Sequence, residues 1–141
     1  MNIVIIDGQG GQLGAQLFKE ISTRFSDIPD INIKAVGTNA LATSAMLKVG
    51  AKNAATGENP VVVSCRTADV IIGPVGIVIA DSLLGEITPK MALSVGQSGA
   101  IRILIPMNRC DNIVAGVSNP STATLISDAA EKLDRIIRGR S

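Results

Sequence analysis

Histidine is absent from this chain of 141 residues, so the side chain that most often shuttles protons and binds metals near neutral pH is missing. Tryptophan and tyrosine are absent too, and with two phenylalanines the core must be aliphatic. The two cysteines, Cys65 and Cys110, form neither a CxxC pair nor a metal-ligand spacing. We therefore expect no metal site, no disulfide and no cysteine catalysis, because no histidine can act as the base of a thiol.

The sequence also lacks a charge bias and a long apolar run. With 13 basic and 12 acidic residues the net charge is +1, and no basic patch with interleaved aromatics predicts nucleic-acid binding. The longest apolar run, 70–80, is shorter than the roughly 20 residues of a membrane-spanning helix and contains Gly-Pro. The first residues already form a strand, which argues against a signal peptide. We expect a cytoplasmic protein with no membrane or nucleic-acid partner.

Apolar runs alternate with helical patterns along the chain. The first run, 2–7, is continuous, as in a strand buried on both faces. From Leu13 to Phe25 apolar residues recur every four positions, as on one face of a helix, and Asn39 and Gly50 bracket a second helix as its caps. Three of the later helices are predicted to begin where Asn or Thr precedes Pro, at Pro60, Pro89 and Pro120. Further strands are predicted at 31–37, 52–56, 68–73, 101–106 and 112–117, and further helices at 76–85 and from near 60, 89 and 120.

This order of elements predicts one Rossmann-like domain over residues 1–141, an α/β three-layer sandwich. Its sheet is expected to be mainly parallel, with five or six strands and helices on both faces. Only about six residues separate the strands 101–106 and 112–117, and a parallel pair needs a crossover of a dozen or more. The last strand is therefore open to an antiparallel orientation.

Four glycines follow the first strand: Gly8, Gly10, Gly11 and Gly14. In a strand–turn–helix unit, glycines permit a tight turn, a close approach of phosphate and tight helix–sheet packing, and the helix N-terminus attracts an anion. The spacing resembles the G-x-G-G-x-x-G variant of the dihydrodipicolinate reductase type. Asp7, however, brings a negative charge to the same place, which disfavours NAD. The alternative is that the glycines serve turning and packing alone.

The second strand ends in Thr38 and Asn39, where an NAD-binding protein has the acid that holds a ribose hydroxyl. These side chains suit a ribose or its 2′-phosphate, so we expect little preference for NAD over NADP. A second glycine-rich turn, 73–76, follows the strand 68–73 and is predicted to open another helix beside the first loop. Two glycine-rich helix starts would then flank one crevice.

We expect the carboxyl edge of the sheet to bind a nucleotide or another phosphorylated small molecule, because ligands bind there in doubly wound sheets. Asn108 and Arg109 end a predicted strand at this edge, and Arg109 would clamp an anion. Glu58, Asp81 and Glu86 are candidate acids or bases, although such carboxylates more often cap or face water. No residue is assigned a catalytic role. The candidate binding residues are Gly8, Gln9, Gly10, Gly11, Gln12, Gly14, Thr38, Asn39, Gly73, Pro74, Gly76, Asn108 and Arg109.

A set of motifs occurs in order along the chain: "IDGQGG", "AVGTNALATSAMLKVGA", "ATGEN", "ADVIIGPVGIVIADSLLGEITP" and "ILIPMNRC". Their combination resembles a family of small uncharacterised bacterial Rossmann-like proteins, a domain of unknown function, over nearly the full length. The resemblance implies a single-domain bacterial cytoplasmic protein. It supplies no activity, substrate or catalytic residue.

Three functions are compatible with the sequence. The first is a module that binds a nucleotide, with NADP among the candidate cofactors, or another phosphorylated metabolite. The second is an NADP-dependent oxidoreductase whose substrate site is completed by a second subunit. The third is a non-catalytic subunit or assembly protein that uses the apolar segment 76–84 as an interface. A homo-oligomer is also compatible with the sequence.

Overall fold

Five parallel strands form one sheet between two layers of helices in the computed structural model, which describes residues 1–107 and 112–139. The sheet order β3-β2-β1-β4-β5 confirms the α/β class and the Rossmann-like architecture. The strands are β1 (Asn2–Asp7), β2 (Asn32–Gly37), β3 (Ala54–Thr56), β4 (Val70–Pro74) and β5 (Ile101–Ile105). The helices are α1 (Gln12–Arg24), α2 (Ala40–Lys48), α3 (Glu58–Thr67), α4 (Pro89–Gln97) and α5 (Thr122–Ile137).

The two faces of the sheet are covered by separate aliphatic clusters. Ile5 of β1 lies on the face covered by α1, α2 and α5, where it is fully buried in a cluster with Leu17. Its neighbour Ile6 lies on the opposite face, covered by α3 and α4, with Val95. Each such side chain contributes about 1.5–3 kcal/mol when buried. Continuous apolar strands are therefore required at the centre of the sheet, which fixes β1 and β4 there.

The helix starts follow the capping signals of the sequence closely. The Asn39 side chain accepts a hydrogen bond from Ala42 N (2.8 Å) at the start of α2. Thr88 Oγ1 accepts one from Met91 N (3.1 Å) at the start of α4. The predicted starts near 60 and 120 lie two residues away from the observed ones, at Glu58 and Thr122. No helix in the described part of the chain is long and apolar enough to cross a membrane.

The segment 76–85 is not the helix that its sequence predicts. Only Val75–Val78 forms a short 3₁₀ helix, and the chain then takes an irregular path to α4. Leu83 and Leu84 have φ angles of 55° and 56°, outside the helical region. The path buries Leu83 while Leu84 stays 92% exposed, and the β-branched residues before it are poor helix formers. We call residues 79–88 the strap.

Residues 112–117 form no strand, so the predicted sixth strand and its antiparallel pairing are wrong for the part of the chain that the structure describes. Gly116 has a φ of 82°, which interrupts the extended backbone a strand requires. Ile113 is 94% exposed instead of packed on the sheet. As a result, β5 pairs with β4 on one side and with no described strand on the other.

Candidate functional site

Asp7, the last residue of β1, directs its carboxylate to the start of α1. Its Oδ1 accepts a hydrogen bond from Gly8 N (2.8 Å) and its Oδ2 accepts one from Gly14 N (2.7 Å). Because Gly14 is the third residue of α1, a carboxylate of the chain itself takes one of the amides that a helix N-terminus leaves without a partner. Burial raises the pKa of Asp7, the two backbone hydrogen bonds oppose this rise, and the nearby Glu86 charge adds to it.

Gly11 and Gly14 are required by close packing. A Cβ on Gly11 would lie 2.7 Å from Ala42 Cα, and the residue has a φ of 74°. A Cβ on Gly14 would lie 2.8 Å from Asp7 Cβ and 2.9 Å from the sulfur of Met46. These two glycines let α1 start against α2 and β1 more closely than a larger residue would allow.

Gly8 and Gly10 stand in different surroundings. A Cβ on Gly8 would lie 2.6 Å from Thr38 Oγ1 and 3.0 Å from Glu86 Oε1, so glycine leaves room for these two polar groups. At Gly10 the nearest atom to such a Cβ is Gln12 Cγ, 4.0 Å away, and the residue is exposed. Packing within the described residues therefore explains Gly8 and leaves Gly10 without a structural requirement.

Glu86 lies over the glycine-rich loop and gathers donors from two strand ends. Its Oε1 accepts hydrogen bonds from Gln9 N (2.9 Å), Thr38 Oγ1 (2.6 Å) and Asn39 Nδ2 (2.6 Å). Asn39 Nδ2 also donates to Gln9 O (3.0 Å), which ties the two loops together. Partial burial raises the pKa of Glu86, but the three hydrogen bonds outweigh it and the net pKa is lowered. An anionic oxygen is thus held where the sequence predicts a phosphate.

The loop and the first turn of α1 carry further backbone donors. Among the described residues, no hydrogen-bond acceptor contacts the backbone amides of Gly10, Gln12 and Leu13. All three belong to the loop or to the first turn of α1, where the helix dipole favours negative charge. The loop therefore presents both occupied and unoccupied donors at one edge of the sheet.

The strap that carries Glu86 is fixed at both ends. Thr88 Oγ1 donates to Glu58 Oε2 (2.6 Å) at the start of α3. Ser82 Oγ donates to Gly76 O, and Asp81 N donates to Ile87 O (2.7 Å). Between these anchors the strap has left-handed backbone at residues other than glycine, which costs of the order of 1–2 kcal/mol for each such residue. The surrounding contacts must hold this conformation.

The second glycine-rich turn does not form the helix start that the sequence predicts. Gly73 is needed because a Cβ there would collide with Ile6 O on the neighbouring strand. Pro74 ends β4, and Gly76 is buried within the 3₁₀ helix Val75–Val78. A helix of this length offers no anion site of its own, so the turn contributes to the loop edge only by starting the strap.

The remaining candidates divide by location. Asn108 and Arg109, with Cys110, lie outside the described residues. Cys65 is buried, and burial raises the pKa of its thiol to about 11, which suits a core residue. Asp81 is exposed, and Glu58 takes part in holding the strap. The described residues contain no group of His, Cys, Asp and Glu that could hold a metal ion.

Sequence reasoning missed the role of Glu86 as an acceptor. It named Glu86 only as an acid or base, because no local pattern links residue 86 to the loop at residue 9. The available signal was indirect: Thr38 and Asn39, two donors at the end of one strand, suit an anionic partner, and Glu86 was already among the candidate carboxylates.

Comparisons with known proteins extend to family and fold. A family model described as "Domain of unknown function (DUF3842)" matches residues 2–138. No curated protein sequence matches the chain. A crystal structure of a dodecameric FMN-dependent Ubix-like decarboxylase from Escherichia coli O157:H7 has 18% identity and a TM-score of 0.47, covering 100% of this chain and 77% of that one. A YwlE arginine phosphatase with a phosphorylated active-site serine has 14% identity and a TM-score of 0.38, covering 98% and 91%. Identities this low concern the fold alone.

Proposed function

The chain belongs to the DUF3842 family, whose description leaves the function open, and we propose that it binds a phosphate-bearing small molecule, a nucleotide or another phosphorylated metabolite. The binding site is the loop 8–11 together with the end of β2. One observation carries the proposal: three donors, from Gln9, Thr38 and Asn39, converge on a single carboxylate oxygen of Glu86.

The donor set fits a phosphate as well as it fits a carboxylate. Both groups present anionic oxygens that accept short hydrogen bonds from amides and hydroxyls. The unoccupied amides of Gly10 and Gln12 would serve the other oxygens of a phosphate, which has more acceptor sites than a carboxylate. Glu86 and the phosphate cannot share these donors, so the ligand competes with a group of the protein itself.

The open surroundings of Gly10 favour ligand binding over packing as the role of this loop. Gly11 and Gly14 have close neighbours that explain them, but Gly10 faces open space. A residue with no side chain at this position lets a ligand approach the backbone. The oxidoreductase alternative would use the same two donors, Thr38 and Asn39, to bind a ribose, and it further needs a second subunit to complete its substrate site.

The proposed competition between phosphate and Glu86 for the same donors can be tested by removing the Glu86 side chain. Isothermal titration calorimetry with inorganic phosphate should show Glu86→Ala binding at least about tenfold more tightly than the wild type, because the competing charge is removed. Gly10→Val should lose binding while retaining the circular dichroism spectrum of the wild type. Glu20→Ala is the control, because this half-exposed carboxylate on α1 pairs with Arg24, away from the loop, and its removal changes the net charge equally and should leave affinity unchanged.

One combination of results would contradict the proposal. If Glu86→Ala binds phosphate no better than Glu20→Ala, and Gly10→Val binds as the wild type does, the loop serves packing alone. Native mass spectrometry of freshly purified protein, which detects a retained small molecule, would then identify whatever ligand binds elsewhere.

A further inference from the structure

The outer edge of β5 carries an apolar groove that residues 1–107 and 112–139 leave uncovered. The groove has a volume of about 440 Å³ and runs between the whole of β5 and one side of α5. Ile101, at its floor, is 53% exposed, although its neighbours on the same face, Ile103 and Ile105, are buried. An open edge next to exposed apolar surface is a place where another strand binds.

The backbone of β5 is oriented for such pairing. Ile101 N donates to Asp69 O on the β4 side, and amide direction alternates along a strand. Arg102 and Leu104 therefore direct their amides and carbonyls to the open edge. The Arg102 side chain does not guard this edge, because its Nη1 donates to Ser98 O (2.8 Å) and Ala100 O (3.2 Å). β3, at the other edge of the sheet, has only three residues, a length that discourages pairing.

We propose that β5 pairs with β5 of a second copy of this chain, antiparallel about a two-fold axis at Ile103. In this arrangement Arg102 lies opposite Leu104 of the second copy, and each such pair exchanges two backbone hydrogen bonds. The two sheets become continuous, and Ile101 is covered in both copies. The segment 76–84, the interface considered from the sequence, is less suited, because Ile77 and Leu83 are buried in the protein's own core.

Charge along the groove favours a second copy over an unrelated strand. Asp128, Lys132 and Arg135 lie on the side of α5 that lines the groove. Asp128 and Arg135 are two helical turns apart on that side. Antiparallel strands bring the two α5 helices antiparallel as well, so Asp128 of one copy lies towards Arg135 of the other, and the reverse. Lys132 forms an ion pair with Asp128 of its own copy, so Arg135 is the α5 cation of the groove left to face the Asp128 carboxylate of the second copy. In this order the charges of the groove are complementary to themselves.

Sedimentation velocity tests the edge. The wild type should be a dimer. Ile101→Lys should raise the dissociation constant about a hundredfold or more, because two lysines would enter one interface and disrupt edge pairing. Leu93→Lys is the matched control, since Leu93 is 55% exposed on α4, away from the groove, and this variant should stay dimeric. A wild type that is monomeric at about 1 mM, or an Ile101→Lys variant that dimerises normally, would overturn the proposal.

Charge reversal tests the two-fold arrangement. Asp128→Arg and Arg135→Asp should each weaken the dimer, because each places like charges opposite one another in both halves. A mixture of the two variants should form heterodimers with close to wild-type affinity, since both opposing pairs then carry opposite charges. If the mixture is no tighter than either variant alone, β5 binds another partner or none, and the proposal is wrong.

Discussion

At the scale of single residues, two carboxylates at the carboxyl edge differ in how they are held. Asp7 is buried and shares two backbone amides, and its pKa is raised because burial disfavours its charge. Glu86 is partly exposed and receives three hydrogen bonds, which lower its pKa despite some burial. Ionisation of Asp7 therefore lowers the free energy of unfolding, whereas ionisation of Glu86 raises it.

This difference predicts a pH dependence. The folded pKa of Glu86 lies below its ordinary value of 4.5, so its stabilisation is fully present above that pH and is lost as the pH falls through the folded pKa. We expect the wild type to be more stable than Glu86→Gln at pH 7 and the gap to shrink on acidification. Urea denaturation of both proteins at a series of pH values measures the gap. A gap that does not change with pH would show that the Glu86 charge contributes nothing.

The glycines of the loop give a second residue-scale prediction. Gly14→Val should lower the free energy of unfolding by about 1–3 kcal/mol, because its side chain would meet Asp7 and Met46. Gly10→Val should change it by less than about 0.5 kcal/mol, since that position faces open space. Chemical denaturation of the pair compares them directly. Equal losses in both variants would mean that Gly10 is also needed for packing.

At the scale of elements, regular segments were predictable and the strap was not. Period-four apolar residues and caps such as Asn39 locate helices because these signals are local. The strap depends on contacts between residues far apart in the sequence. Glu86 accepts hydrogen bonds from Asn39, Thr38 and Gln9, which precede it by 47, 48 and 77 positions. Leu83 is buried in the same core cluster as residues of α4. The edge that holds the candidate site follows from the strand order, whereas its occupation by Glu86 requires the folded structure.

Strain in the strap can be measured. Leu84→Asn should raise the free energy of unfolding by about 0.5–1 kcal/mol, because Asn tolerates the left-handed backbone and the exposed leucine side chain loses few contacts. Leu41→Asn, at an exposed helical position in α2, should instead lower stability through its weaker helix propensity. Thermal melts distinguish the two. Destabilisation by Leu84→Asn would reveal a stabilising contact of the leucine.

At the scale of the whole molecule, the central strands are enclosed by helices on both faces. Cys65 of α3 belongs to the cluster on one of these faces and is 4% exposed. Cys65 is almost covered although it borders a surface pocket between α3 and α4, and burial raises the pKa of its thiol, which keeps the reactive thiolate scarce. Cys65 is therefore a probe of the opening of the core.

We expect Cys65 to resist modification in the native protein. In a Cys110→Ser variant, a thiol reagent should label Cys65 at a rate that follows global unfolding as urea is added. The reason is that Cys65 lies on α3 and is buried among the side chains of its core cluster. Mass spectrometry after short pulses of reagent measures the labelled fraction. Rapid labelling without denaturant would show that α3 opens on its own.

The exposed position of Leu84 in the strap allows a fluorescent probe to be placed there. The chain contains no tryptophan, so a tryptophan introduced in place of Leu84 would be the only one in the protein. With Glu86 bound to the loop, that indole would stand in water and emit as a solvated fluorophore. A ligand that takes the donors from Glu86 displaces that side chain, two residues from the indole, and we expect the surroundings of the indole to change. A shift of this single emission band would then report, in solution and in real time, whether Glu86 or a ligand occupies the glycine loop.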